Sequence, residues 1–186
     1  MHLISTFWAF ALAMILVFPG YAEEESPTAL EHHRIYGRVE TALVTNHRIK
    51  MRVRMDTGAK TSSLSATHIE EFEKDGKKWV KFTVEPGPTG KHYQVEAPLV
   101  RHVKIKKRVA EIDQEKADVK FDIRPTVMVP VCLDSQMRMV EVTLTDRSHF
   151  FYRMLLGRSG MEAFDILIDP SRVFTVKPTC SAEKTS

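Results

Sequence analysis

Cysteine is scarce: Cys132 and Cys180 are the two in a chain of 186 residues. A disulfide-stapled framework is thereby excluded, and a chain of this length can bury one hydrophobic core without staples. An excess of one charge sign is also missing. Lys and Arg number 27 against 24 Asp and Glu, a net charge of +3, and no aromatic platform interleaves with the basic residues, which excludes a nucleic-acid surface. The densest basic run, Lys104, Lys106, Lys107 and Arg108, reads as a solvated strand or loop face. There is no internal repeat and no low-complexity segment, so repeat arrays drop out. The leading apolar run, Leu3 to Val17, falls short of the roughly 20 residues that span a bilayer. Gly20 and Ala22 stand at the small-residue positions ahead of Glu23, so residues 1–22 read as a signal peptide. An uncleaved anchor is the alternative. Both imply export, to the periplasm or outside the cell, with no membrane contact once the leader is cleaved.

What remains is patterned for strands. Residues 23–34 are acidic and polar and read as a disordered lead-in. Val39 to Val44 and Ile49 to Met55 alternate apolar and polar residues around an Asn46-His47 turn. Lys78 to Val84 and His92 to Val100 form a second pair, joined by a connection whose Pro and Gly forbid a helix. Thr126 to Leu133 and Met137 to Leu144 form a third around Asp134-Ser135. Two short helices are expected, Ala66 to Glu73 and Ser159 to Phe164. Short strands with regular turns predict an all-β closed barrel or sandwich over residues 35–176, followed by a flexible tail, 177–186. Cys132 and Cys180 allow a disulfide within one chain or between two, and equally a buried thiol at Cys132.

One strand leads into Asp56-Thr57-Gly58-Ala59-Lys60-Thr61-Ser62-Ser63-Leu64. Alone, Asp-Thr-Gly is common and marks no more than a strand-end turn. Nearly a hundred residues later comes Leu155-Leu156-Gly157-Arg158 and a short helical segment. Asp-Thr-Gly-Ala, a hairpin, then apolar-apolar-Gly-Arg and a helix is the order found in retropepsins, and the chain resembles that family from Ile35 to Val176. With Asp169-Pro170-Ser171-Arg172 it is similar to a bacterial branch that carries the label ATP-dependent zinc protease and is associated with ribosomal-modification glutamate ligases.

The residues do not support that label. No His-Glu-x-x-His places two imidazoles on one metal: His32 and His33 are adjacent in the lead-in, and the later histidines are isolated. Gly87-Pro88-Thr89-Gly90-Lys91 is too short between its glycines for a phosphate loop and lacks the hydroxyl residue after Lys. Neither metal nor other cofactor is expected.

The resemblance implies an aspartic peptidase acting on peptide or protein. Two carboxylates about 3 Å apart cannot ionise together, share one proton, and supply base and acid at once. One Asp-Thr-Gly per chain then implies a homodimer with Asp56 from each copy. Thr57 would bond across the two-fold axis, Gly58 would leave the cleft open, and Leu155, Leu156 and Gly157 would pack behind the loop. Ala59 has no hydroxyl to donate to Asp56, so activity is expected at moderately acidic to neutral pH. Retroviral members carry an acid where this chain has Lys60. Lys60 and Arg158 therefore put two cations near the cleft, favouring acidic peptides, unless Lys60 points to solvent. Arg158 is expected to find Glu162 or Asp169 as its acceptor. The loop from Pro86 to Gly90 is the expected flap tip, carrying Gly87 and Gly90 to the substrate, or else an ordinary hairpin loop. Asp165 and Asp169 flank an apolar strand about 13 Å apart, too far to share a proton. The alternatives are a non-catalytic peptide-binding domain on the same barrel and a metal-dependent hydrolase.

Overall fold

The structure is a computed structural model, and it describes residues 33–87, 90–106 and 121–181. The leader and most of the lead-in lie outside those residues. Among the described residues eleven strands and one short helix follow one another: β1 Arg34–Gly37, β2 Val39–Val44, β3 Ile49–Met55, β4 Ser62–Ser65, β5 Thr67–Lys74, β6 Lys77–Val84, β7 Tyr93–Lys106, β8 Phe121–Leu133, β9 Gln136–Thr145, β10 Met154–Leu156, α1 Arg158–Ala163 and β11 Ile166–Asp169.

Period-two patterning sets the first hairpin. In β3 the side chains of Ile49, Met51, Val53 and Met55 are buried while Lys50, Arg52 and Arg54 are exposed, as a pleated strand with one dry face requires. β2 pairs antiparallel with β3 from Val39↔Arg54 to Val44↔Ile49. The ladder continues β3–β10–β4–β9–β8, and β8 returns to β2 through Leu43↔Cys132. Six strands thus close a barrel, so β2 is not left as a bare edge. Its interior is filled by Val53, Leu64, Val129, Val142, Leu144 and Met154, none more than 2% exposed. From β8 the sheet runs on through β7 and β6 to β5 as an open wing. β1 and β11 form a separate two-stranded parallel sheet.

Two expectations are corrected here. Ala66 to Glu73 is not helical: Thr67–Lys74 is strand β5, paired with β6. Asp75 and Gly76 both take positive φ, 53° and 69°, the signature of a tight two-residue hairpin turn, and the hairpin overrides the helix-forming glutamates. The segment after Val176 is no free tail as far as Cys180. Thr179 N–H donates to Asp134 O (2.6 Å), and Cys180 is disulfide-bonded to Cys132. Of the alternatives open for the two cysteines, the structure holds the bridge within one chain. Ahead of it, Glu40, fully buried on β2, accepts from Gly37 N–H, Thr175 N–H, Thr175 Oγ1–H and Val176 N–H, which clamps the C-terminal segment to the barrel. Among the described residues no helix is long and apolar enough to cross a membrane.

Candidate active site

Asp56 follows the last residue of β3 and is half-buried, at the mouth of the barrel wall rather than inside it. Its backbone is fixed from behind: Asp56 N–H donates to Leu156 O at 2.9 Å. This works because β10 is slotted between β3 and β4, parallel to the first (Leu156↔Met55) and antiparallel to the second (Met154↔Leu64). Leu156 is buried and Leu155 half-buried.

The loop closes on itself in front. Ala59 N–H donates to Asp56 O (3.2 Å) and Gly58 N–H to Asp56 Oδ1 (3.1 Å). One carboxylate oxygen is therefore oriented by backbone. A Cβ on Gly58 would stand 3.3 Å from that oxygen, a tight contact that the carboxylate would have to relieve by shifting.

Gly157 and Arg158 seat the far side of the loop. Arg158 N–H donates to Ala59 O (2.9 Å), Ser159 N–H to Lys60 O (3.1 Å) and Gly157 N–H to Ser62 Oγ (3.1 Å). A Cβ on Gly157 would meet Thr61 C at 2.7 Å and Lys60 O at 2.9 Å, so the two segments touch backbone to backbone. Arg158 does not use Glu162 or Asp169. Its Nη1 donates to Thr57 O at 2.8 Å, because the start of α1 is docked on the loop and that carbonyl is the acceptor within reach. Asp169 instead accepts from Ser171 N–H and Oγ–H, which holds its carboxyl below the usual range. Thr57, Gly58 and Lys60 are exposed.

Gly87 and Gly90 are not brought to this site. Gly87 lines a separate groove with Lys50 and Arg52, and Gly90 is exposed. At the start of β7, Gln94 O meets His47 Nε2 of the β2–β3 turn at 2.8 Å.

Sequence reasoning missed the guanidinium groups around Asp56. Arg147 is drawn below its usual range by burial first and by the Arg124 charge second, while Asp56 opposes the shift and Arg54 adds to it. Arg54, Arg124 and Asp56 therefore all lie within electrostatic reach of Arg147. Arg54 was legible as the outward residue two before Asp56. Arg147 carries no local signal, since the loop after β9 brings it in, with its N–H on Ser65 Oγ.

On the other flank, Thr57 and Arg158 line an open cavity of about 470 Å³ with Met161, Glu162, Asp165 and Leu167. Leu167 on β11 and Ile35 on β1 are 39% and 58% exposed. Within one chain, Asp56 has no second carboxylate on its loop, and a lone carboxylate can act as base or as acid but not as both.

A model of the family described as RimB-like, retropepsin-like aspartic endopeptidase RimB, matches residues 35–179. A protein of Desulfotalea psychrophila called a probable alpha-L-glutamate ligase is 34% identical over 121 residues, 65% of this chain and 24% of the relative. One of the same description from Shewanella halifaxensis is 32% identical over 126 residues, 67% of this chain and 25% of the relative. The chain thus spans about a quarter of the length of these curated relatives. A crystal structure of a Legionella pneumophila protein of unknown function superposes with a TM-score of 0.64 at 35% identity, covering 77% of this chain and 98% of that one.

Proposed function

The chain belongs to the RimB-like family of retropepsin-like aspartic endopeptidases, and from that premise we propose that it hydrolyses peptide bonds with a water activated between Asp56 and the Asp56 of a second copy. The observation that carries the reading is the Asp56 loop. Asp56 is half-buried rather than sealed in the core, its backbone is pinned to Leu156, and one carboxylate oxygen is already oriented by Gly58 N–H. Two such loops meeting across a two-fold axis would share one proton. The ionised member takes a proton from water as it attacks the carbonyl, and the protonated member gives its proton to the carbonyl oxygen. The tetrahedral intermediate collapses when a proton passes to the leaving amine. No covalent enzyme intermediate is needed.

The surface we assign to the second copy is the one flanking Thr57. It offers exposed Leu167 and Ile35, and it carries Arg158 beside Glu162 and Asp165. A patch holding both charge signs can pair with itself under two-fold symmetry. For substrate, Arg147 lies within electrostatic reach of Asp56 and of Arg54, Lys60 is exposed on the same loop, and the relatives are called probable alpha-L-glutamate ligases. Acidic peptides are the class that suits this charge. The apolar leader, residues 1–22, supports export and action in the periplasm or outside the cell.

A second reading is a peptide-binding module. It is favoured by the three quarters of each relative that lies beyond the match, where a ligating activity could sit. Asp56→Asn separates the two. Loss of hydrolysis of a glutamate-rich peptide by at least about a thousandfold, with dimer and fold unchanged, is the peptidase outcome. A wild-type protein that binds such peptides and never cleaves them is the binding module. Hydrolysis abolished by chelation would instead favour a metal-dependent hydrolase.

A further inference from the structure

We propose that the groove along the outer face of β2 and β3 is a second binding site, taking an extended acidic stretch of the substrate remote from the bond that is cut. It rests on the peptidase reading above and adds a site to it. Two adjoining cavities, of about 850 and 420 Å³, share Thr41, Lys50 and Phe174. Together they run from Lys177 along Lys50 and Arg52 to Arg153, and no Asp or Glu lines either. Arg54, the next outward residue of β3, continues the row to the neighbourhood of Asp56.

The spacing and chemistry point to a peptide. Alternate residues of a strand recur about every 6.8 Å. Lys50, Arg52 and Arg54 therefore repeat at the interval of the same-face side chains of an extended chain lying beside them. Arg52 Cζ sits 5.8 Å from the Phe151 ring centre and 5.7 Å from that of Phe174, so the cation is within reach of two aromatic faces, and a guanidinium is the side chain that best matches a carboxylate. Phe151 is 76% exposed, an aromatic the barrel does not use and a surface for the methylenes of a glutamate side chain. Arg147 lies over Phe150 at 4.6 Å. With guanidinium groups over all three rings, stacking faces for nucleobases are already partly taken.

The test uses the full chain carrying Asp56→Asn, so that bound peptide is not consumed, and labelled (Glu)4 and (Glu)10 followed by fluorescence anisotropy at fixed salt. Wild-type groove residues should make the longer peptide bind about tenfold more tightly than the shorter, the scale of one desolvated charge pair. Lys50→Gln with Arg52→Gln should remove that gain, and in the Asp56 enzyme should raise KM for the longer peptide while kcat holds. Equal gains with and without the substitutions overturn the proposal, as does displacement of (Glu)10 by (Gln)10 or by a single-stranded oligonucleotide at matched concentration. A length gain that disappears in the double variant, in a protein that cleaves nothing, sustains the groove and removes the peptidase. Cleavage with no length gain does the reverse.

Discussion

Replacing Glu40 by Gln keeps the shape of the side chain while it removes the charge and exchanges one acceptor oxygen for an NH2, so it tests what the buried carboxylate contributes. Oε1 accepts from Gly37 N–H at 2.7 Å, Thr175 N–H at 3.0 Å and Thr175 Oγ1–H at 2.5 Å, and Oε2 accepts from Val176 N–H at 3.2 Å. Hydrogen bonds to an ionised acceptor contribute about 1.5–3 kcal/mol and neutral ones about 1. An amide that retains its oxygen toward Gly37 and Thr175 weakens those three bonds. It must also turn its NH2 toward the Val176 N–H, donor against donor. Easier desolvation of a neutral group offsets part of the loss, so the net cost should be on the order of 2–4 kcal/mol.

That is a large share of the roughly 5–15 kcal/mol that holds a domain together. In a urea titration it should lower the midpoint by on the order of 1–2 M at an m-value near 2 kcal/mol/M. The loss should also be local. Amide exchange at Thr175 and Val176 should accelerate well before that of β8 and β9, because the clamp ties the C-terminal segment and not the barrel ladder. A Glu40→Gln midpoint within about 0.3 M of the parent, with exchange at Thr175 and Val176 unaltered, would refute the reasoning.

Gly157→Ala forces a Cβ into Thr61 and Lys60 backbone, for a cost of about 1–3 kcal/mol and a larger fall in kcat, because the displaced segment carries the Asp56 loop; full activity in that variant would mean the loop is not set from behind. Cys180→Ser opens a bridge spanning 48 residues of sequence separation and should lower stability by up to about 4 kcal/mol on the chain-entropy account, with dithiothreitol reproducing the shift in the parent and leaving the variant unmoved. Leu167→Asp should give a monomer by sedimentation and abolish hydrolysis together; a monomer that still cleaves would eliminate the shared dyad.

The strands that were legible are those whose burial alternates within a few residues. β3 begins and ends where the apolar–polar pattern does, because one side of the strand is dry and the other wet. The Asp56 loop was legible as a motif, since Asp-Thr-Gly-Ala and Leu-Leu-Gly-Arg bond to each other. β5 was misread because its glutamates favour a helix locally, although Asp75-Gly76 held the hairpin signal. β10 is three residues long, too short to show a period, and exists only because β3 and β4 flank it. Arg158 was assigned an acidic partner by nearness in sequence, whereas the docking of α1 offered it a carbonyl.

Sequence alone determined that this is a β protein with one acidic Asp-Thr-Gly loop per chain, because alternation and short motifs are properties of neighbouring residues. The tertiary structure decided the closure of the barrel through β2 and β8, the bridging of Cys132 to Cys180, and the placing of Gly87 in a groove with Lys50 and Arg52. It also decided the company of Asp56, since Arg147 arrives from a loop some ninety positions later. Those outcomes depend on which distant backbones find each other's hydrogen-bonding edges, and no local window of residues contains that information.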